Sequence, residues 1–297
     1  MIDEQCNERK LEMKKAIVLS CVAAVLIYLF VGFKERGVQL MPYNNNELQQ
    51  DGYELMTVEE EMKYAGNLIL VNKDYKLRDE GLVDDLVLVV KEDQYTRGYR
   101  LDNEDIKISE LVISNFQNMV DDAQEDGITH LILNSGYRNQ EKQASLYNEM
   151  GSQYALPAGY SEHNIGLSMD IGSLVGKMED APEGKWLREN AARFGFILRY
   201  PEDKVDITGI EYEPWHFRYV GVPHSVIMQD RRWVLEEYLQ YVRENHNLQT
   251  TIAGKKYLIN YYEFEQELQI KVPTNKSYTI SGDNIKGVIV TLELGGQ

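Results

Sequence analysis

Between residues 161 and 170 the chain reads Ser161-Glu162-His163-Asn164-Ile165-Gly166-Leu167-Ser168-Met169-Asp170. From Leu167 to Ile171 apolar and polar residues alternate as they do in a half-buried strand. The step from His163 to Asp170 is too long for one helix face. The histidine therefore belongs to a loop and the aspartate to the strand after it, with Gly166 letting the chain turn between them. A second block, Glu211-Tyr212-Glu213-Pro214-Trp215-His216, pairs another histidine with acidic neighbours. Pro214 biases Glu213 away from helical geometry, so this block is extended too.

Outward from these blocks, strand-like runs fall at 68–71, 86–90, 131–133, 196–200 and 212–220. Helical spacing appears at 108–125, 139–150, 183–194 and over most of 223–245. Helices and strands do not alternate strictly, so the fold class expected is α+β, a small antiparallel sheet with flanking helices. Beyond 247, short β-like runs at 257–262, 268–272, 278–281 and 288–294 form a small β appendix without chemical signature.

Residues 16–33, AIVLSCVAAVLIYLFVGF, carry no charge and are flanked by Lys14-Lys15 and Lys34. At about 1.5 Å per residue they approach the ~30 Å of a bilayer's hydrocarbon core. The run is too long for a cleavable signal, and Cys21 lies inside it as an ordinary membrane residue. Arg9, Lys10, Lys14 and Lys15 precede it and Lys34 and Arg36 follow, which favours a cytoplasmic amino terminus. The expected organisation is a cytoplasmic tail (1–15), a transmembrane signal anchor (16–33), a linker (34–64), a chemical domain (65–246) facing outward, and the appendix (247–297).

Of 297 residues 43% are apolar and 27% charged, ordinary for a globular chain. A net charge of −17 disfavours binding to nucleic acid. Both cysteines, Cys6 and Cys21, precede the folded part, which excludes a disulfide framework, a cysteine metal site and a cysteine nucleophile there.

His163, His216 and Asp170 are a suitable set for zinc with one position open to water, and a nearby carboxylate could take that water's proton. The same residues also fit a surface carboxylate pair and two satisfied histidines. In a regular strand Glu213 and His216 would face opposite ways, so both reach one point only if the strand bends or begins there. A third block, Asn134-Ser135-Gly136-Tyr137-Arg138 with Gln143 after it, places an arginine at a strand end. There it can stabilise an oxyanion or grip a carboxylate. His130 and His246 have no chemical company.

Ser135-Gly-Tyr-Arg138 with Gln143, Ser161-x-His163-x-x-Gly166-x-x-x-Asp170 and Glu213-Pro-Trp-His216 together resemble the VanY-type D-alanyl-D-alanine carboxypeptidases. These are zinc peptidases of bacterial cell-wall precursors. Residues 156–160 and 195–201 are similar to that family as well, over roughly 65–225 and not in the appendix. The resemblance implies that His163, Asp170 and His216 bind zinc and that Glu213 is the general base. It also implies that Arg138 polarises the scissile carbonyl and that Gln143 and Ser161 contact substrate. Trp215 would pack to orient His216, and His224 would be structural. Ser168-Met169 before Asp170 is a mild departure from the family pattern.

The activity implied is removal of the terminal D-Ala from precursor pentapeptides, in vancomycin-type resistance or wall remodelling. The alternatives are a peptidoglycan endopeptidase, a D-Ala-D-Ala dipeptidase, or a non-catalytic zinc-containing wall-binding module. A base three residues before a ligand argues against the last.

Overall fold

A computed structural model describes residues 37–44, 52–151 and 156–296. In chain order the strands are β1 (Met41–Pro42), β2 (Tyr53–Thr57), β3 (Leu86–Leu88), β4 (Arg100–Leu101) and β5 (Lys107–Ser109). Then come β6 (Leu131–Ser135), β7 (Ser168–Ser173), β8 (Phe196–Leu198) and β9 (His216–Tyr219). The last five are β10 (Asn247–Ile252), β11 (Lys255–Glu263), β12 (Gln269–Pro273), β13 (Tyr278–Gly282) and β14 (Gly287–Gly296). The α-helices among the described residues are α1 (Glu110–Glu125), α2 (Gln140–Met150), α3 (Pro182–Asn190), α4 (Val205–Thr208), α5 (His224–Arg231) and α6 (Leu235–Asn245).

The sheet that carries the two histidine blocks has the order β4-β6-β7-β9-β8, antiparallel except for the β4–β6 pair. Because side chains alternate along a strand, this sheet has one apolar and one polar face. Leu133, Met169, Ile171 and Phe217 are buried together with Val112, Ile113, Phe116 and Met119 of α1. Their neighbours in sequence, Ser168, Asp170, His216 and Arg218, point the other way. In register, Ser168 pairs with Arg218 and Asp170 with His216. Helix α1 shows the expected three-to-four spacing of apolar residues, and the Asp85 carboxylate accepts the Leu111 amide in its first turn at 3.1 Å.

Three expected strands are shorter. The 86–90 run becomes β3 followed by a 3-10 turn, Val89–Lys91, and the 196–200 run stops at Leu198. The 212–220 run begins only at His216, because Pro214 offers no amide and the His216 N–H closes a turn onto the Glu213 carbonyl at 3.2 Å. Residues 68–71 are no strand. They are buried, but their backbone bonds to side chains and loops instead of a ladder. Arg218 donates to the Asn67 and Ile69 carbonyls, Ser281 Oγ accepts from Leu68 N, and Leu70 N donates to the Asp283 carbonyl.

The carboxy-terminal β elements form a second five-stranded sheet, β1-β10-β11-β14-β13, with β12 paired to β2. Two of these strands, β1 and β2, come from residues 34–64, expected as a free linker. Their apolar side chains Tyr53 and Met56 pack against the Val58, Ile270 and Val290 cluster, which draws the segment into the appendix. Leu40–Gln297 is one compact unit, so the elements on both sides of residue 246 belong together. Residues 16–33 lie outside the described residues, and among those described no helix is long and apolar enough to cross a membrane.

Candidate active site

The β7–β9 register places Asp170 and His216 side by side on the polar face, and a turn before β7 delivers His163 to the same point. That turn is a 3-10 segment, Glu162–Asn164, with Ser161 at its amino end. Gly166 follows with φ +93, a left-handed conformation that lets the chain reverse into β7. The ligand atoms of His163, Asp170 and His216 lie within 4.8 Å of one another, and all three residues are buried.

A hydrogen bond at His163 and carboxylate neighbours at His216 set which imidazole nitrogens face inward. His163 Nδ1 is 2.7 Å from the Gly136 carbonyl, which can only accept, so Nδ1 carries the proton and Nε2 faces Asp170 Oδ1 at 3.3 Å. A Cβ on Gly136 would meet the Lys107 carbonyl at 2.4 Å, so glycine is what lets this backbone come close enough. His216 is held the opposite way round. Its Nε2 lies 3.5 Å from Glu162 Oε2, and its Nδ1 lies 3.3 Å from Asp170 Oδ1 and 3.6 Å from Glu213 Oε2.

Arg138 donates from Nη2 to Asp170 Oδ2 at 2.5 Å and from Nε to Ser135 Oγ at 3.1 Å. The other aspartate oxygen, Oδ1, is buried with no hydrogen-bond partner and faces both histidines. A buried carboxylate oxygen between two inward imidazole nitrogens is a poor arrangement for a bare protein and a good one for a divalent cation. The donor set fits such an ion.

The electrostatics separate the two histidines, and a proton on His216 supplies positive charge beside Asp170. Burial, helped by Arg138, pushes His163 down to about 4, which keeps it neutral. Burial also disfavours charge on His216, but the Asp170 and Glu162 carboxylates outweigh it and hold this residue up at about 9. Asp170 is held well below the usual carboxylate range, because both histidines and Arg138 overcome its burial. Glu213 is shifted the other way from Asp170. Its burial, reinforced by the Asp170 and Glu162 carboxylates against His216 and Arg138, lifts it to about 7. It is poised to exchange a proton near neutrality.

These groups open onto a cavity of about 220 Å³, also lined by Gln143, Ser161, Tyr200 and Trp215. Gln143 donates to the Leu156 carbonyl at 2.7 Å and leaves its buried Oε1 without a partner. Ser161 accepts the His163 amide at 3.4 Å, so it caps the turn as well as lining the cavity. The aromatic ring against His216 is Tyr200, with centroids 4.8 Å apart. Trp215, expected to pack there, is 39% exposed because the Glu213–His216 turn carries it outward. His224 lies elsewhere, bonded to Tyr238 and Thr291.

Sequence reasoning missed Glu162, Arg199 and Arg218. Glu162 is fully buried, paired with Arg199 Nε at 2.8 Å and Arg218 Nη1 at 3.0 Å, and these arginines hold it well below its ordinary range despite burial. The available signal was positional. Arg218 is two residues beyond His216 in a strand, on the same face as the histidine.

The D-alanyl-D-alanine carboxypeptidase family model, VanY, matches residues 105–222. A D-alanyl-D-alanine carboxypeptidase of Enterococcus faecium is 49% identical over 267 residues, 88% of each chain. Coverage of 88% cannot fit before residue 247, so that likeness runs into the appendix. A bifunctional D-Ala-D-Ala dipeptidase and carboxypeptidase, VanXYC of Enterococcus gallinarum, is 34% identical over 60% of this chain and 95% of its own. The crystal structure of the vancomycin resistance D,D-dipeptidase VanXYg with a D-Ala-D-Ala phosphinate analog superposes with a TM-score of 0.71. It shares 32% identity and covers 81% of this chain and 99% of that one.

Proposed function

The chain belongs to the VanY family of D-alanyl-D-alanine carboxypeptidases, and on that premise we propose a membrane-anchored zinc enzyme that removes the terminal D-Ala from peptidoglycan precursor pentapeptides. The observation that carries this reading is the convergence of His163, Asp170 and His216, with the Glu213 carboxylate 3.6 Å from His216.

His163 Nε2, His216 Nδ1 and Asp170 Oδ1 would hold the ion. Zinc there would supply a water whose pKa falls toward ~7 from ~15.7. Glu213 takes the proton of the attacking water as its oxygen adds to the penultimate D-Ala carbonyl. It then returns that proton to the leaving amine as the C–N bond breaks, giving a tetrapeptide stem and free D-alanine. A cation in the site favours the ionised form of Glu213 and so offsets the effect of its burial. Arg138, on the cavity wall, polarises the scissile carbonyl, while Gln143 Oε1 and Ser161 contact the peptide.

Residues 16–33 anchor the chain with its catalytic part outside the cytoplasm, where lipid-linked precursors and nascent wall are presented. Loss of the terminal D-Ala removes the group that glycopeptide antibiotics grip, so the role is resistance or wall remodelling. Two relatives named for dipeptidase activity keep that activity as the second reading.

The test is incubation of the purified chain with pentapeptide precursor, with and without chelator. Chelator-sensitive release of D-alanine is expected. In Glu213→Ala it falls by about 10²–10⁴-fold, with metal content unchanged. His216→Ala loses the metal. Release of a D-Ala-D-Ala dipeptide would move the chain to the endopeptidases, and cleavage of the free dipeptide alone would make it a dipeptidase.

A further inference from the structure

Behind the site, away from the cavity, lies a buried chain of charges that the reaction does not use. Glu162 Oε2 faces His216 Nε2, and Glu162 Oε1 accepts from Arg199 Nε at 2.8 Å and lies 3.0 Å from Arg218 Nη1. Arg199 continues outward in a two-pronged grip on Glu236, Nη1 to Oε2 at 2.8 Å and Nη2 to Oε1 at 2.7 Å. Asn72 Nδ2 braces Glu236 Oε1 from the other side at 3.1 Å.

The side chains of Glu162, Arg199 and Arg218 are fully buried, and Glu236 is 16% exposed. Two guanidinium charges balance two carboxylates. Glu236 sits in the first turn of α6, outside the matched segment 105–222, on a helix that packs against β10 and β11 of the appendix sheet.

We propose that Glu236 is a positioning residue for the metal centre, acting through Arg199 and Glu162 to hold His216 with Nδ1 toward the ion. The balance of charges gives the reason. Without the Glu236 carboxylate, Arg199 has one anionic partner left, and both arginines draw on Glu162. Its carboxylate, whose Oε2 also accepts from Ser168 Oγ at 3.2 Å, is then drawn from His216, and the ring loses the anionic neighbour that lies 3.5 Å from Nε2. Outer partners of metal-bound histidines commonly weigh 10–100-fold on metal affinity. Glu236, two steps beyond Glu162's place as outer partner, carries the lower end of that range.

The inference rests on the proposed zinc site, and its test separates the two. Zinc affinity of the full chain is measured by competition with a chromophoric chelator, alongside kcat and KM. In Glu236→Gln, zinc binding is expected to weaken by about 10-fold, with KM nearly unchanged at saturating zinc. Glu237→Gln is the control. Its carboxylate pairs with Lys204 at 2.9 Å and caps the same helix, so it shares the structural part of the role and not the link to His216. Asn72→Ala, which removes one brace and leaves all charges, is the milder variant should Glu236→Gln not fold; its zinc affinity falls by a smaller factor in the same direction. Equal affinity in wild type and in the folded variant overturns the inference. So does an equal loss in Glu237→Gln. Wild type that binds no zinc overturns the function reading and this inference with it.

Discussion

Two aspartates set the two five-stranded sheets apart. In the appendix, Asp283 spends every lone pair on the fold. Its Oδ1 accepts the amides of Ile285, Lys286 and Gly287, and its Oδ2 accepts from Tyr261 and lies 3.3 Å from Arg243. In the other sheet Asp170 gives one oxygen to Arg138 and leaves the second buried and unpaired. A buried carboxylate whose oxygens are all satisfied is a structural joint. One left open between two imidazoles is kept for a ligand.

The largest expected break in this contrast is Glu162→Ala. It leaves Arg199 and Arg218 buried without their shared anion, which costs about 3–5 kcal/mol. It also frees His216, so chemical denaturation and metal titration should both register the change. Leu292→Ala in the appendix sharpens the comparison. Removing a fully buried side chain costs about 2–5 kcal/mol, yet zinc affinity should stay at the wild-type value in the folded protein.

Acid acts on the seam between the sheets. Burial pushes His224 down to about 3, and it is neutral where it bonds Tyr238 of α6 and Thr291 of β14. The unfolded chain takes up this proton below about 6.5, and the folded chain does not. The His224 contribution is therefore complete above that pH and declines as pH falls toward 3, by about 1.4 kcal/mol per unit. Urea midpoints measured at pH 7 and pH 5 should differ more for wild type than for His224→Asn. The smallest effect is expected for Trp215→Ala, which should stay within ~0.5 kcal/mol of wild-type stability because the residue is 39% exposed on an outward turn. Any change there belongs in KM.

The site was legible because its residues sit in short blocks whose spacing is constrained by chemistry. His163, Asp170 and His216 could be named from sequence, and the period of two put Asp170 on a strand. The turn that brings Glu213 beside His216 was readable in outline from Pro214. What lay hidden was held by groups far apart in the chain. Arg199 looked like any strand residue until Glu236, 37 positions away, closed on it. Residues 68–71 read as a strand because four buried apolar residues satisfy that pattern. Only the partners of their backbone reveal a seam, and those partners come from residues 218, 281 and 283. Residues 53–57 were unreadable for a similar reason, since this short segment in a polar neighbourhood becomes a strand only when Gln269–Pro273 offers it an edge.

The pairing of Asp170 opposite His216 has one more consequence. Both side chains are indexed by the same backbone ladder, so neither can drift without the other. Slippage of β7 by a single rung would turn Met169 toward the cavity and bury Asp170 beneath α1, away from His216. The protein has no intermediate setting between a complete cradle and none, and the accuracy of its chemistry is decided when β7 and β9 zip together.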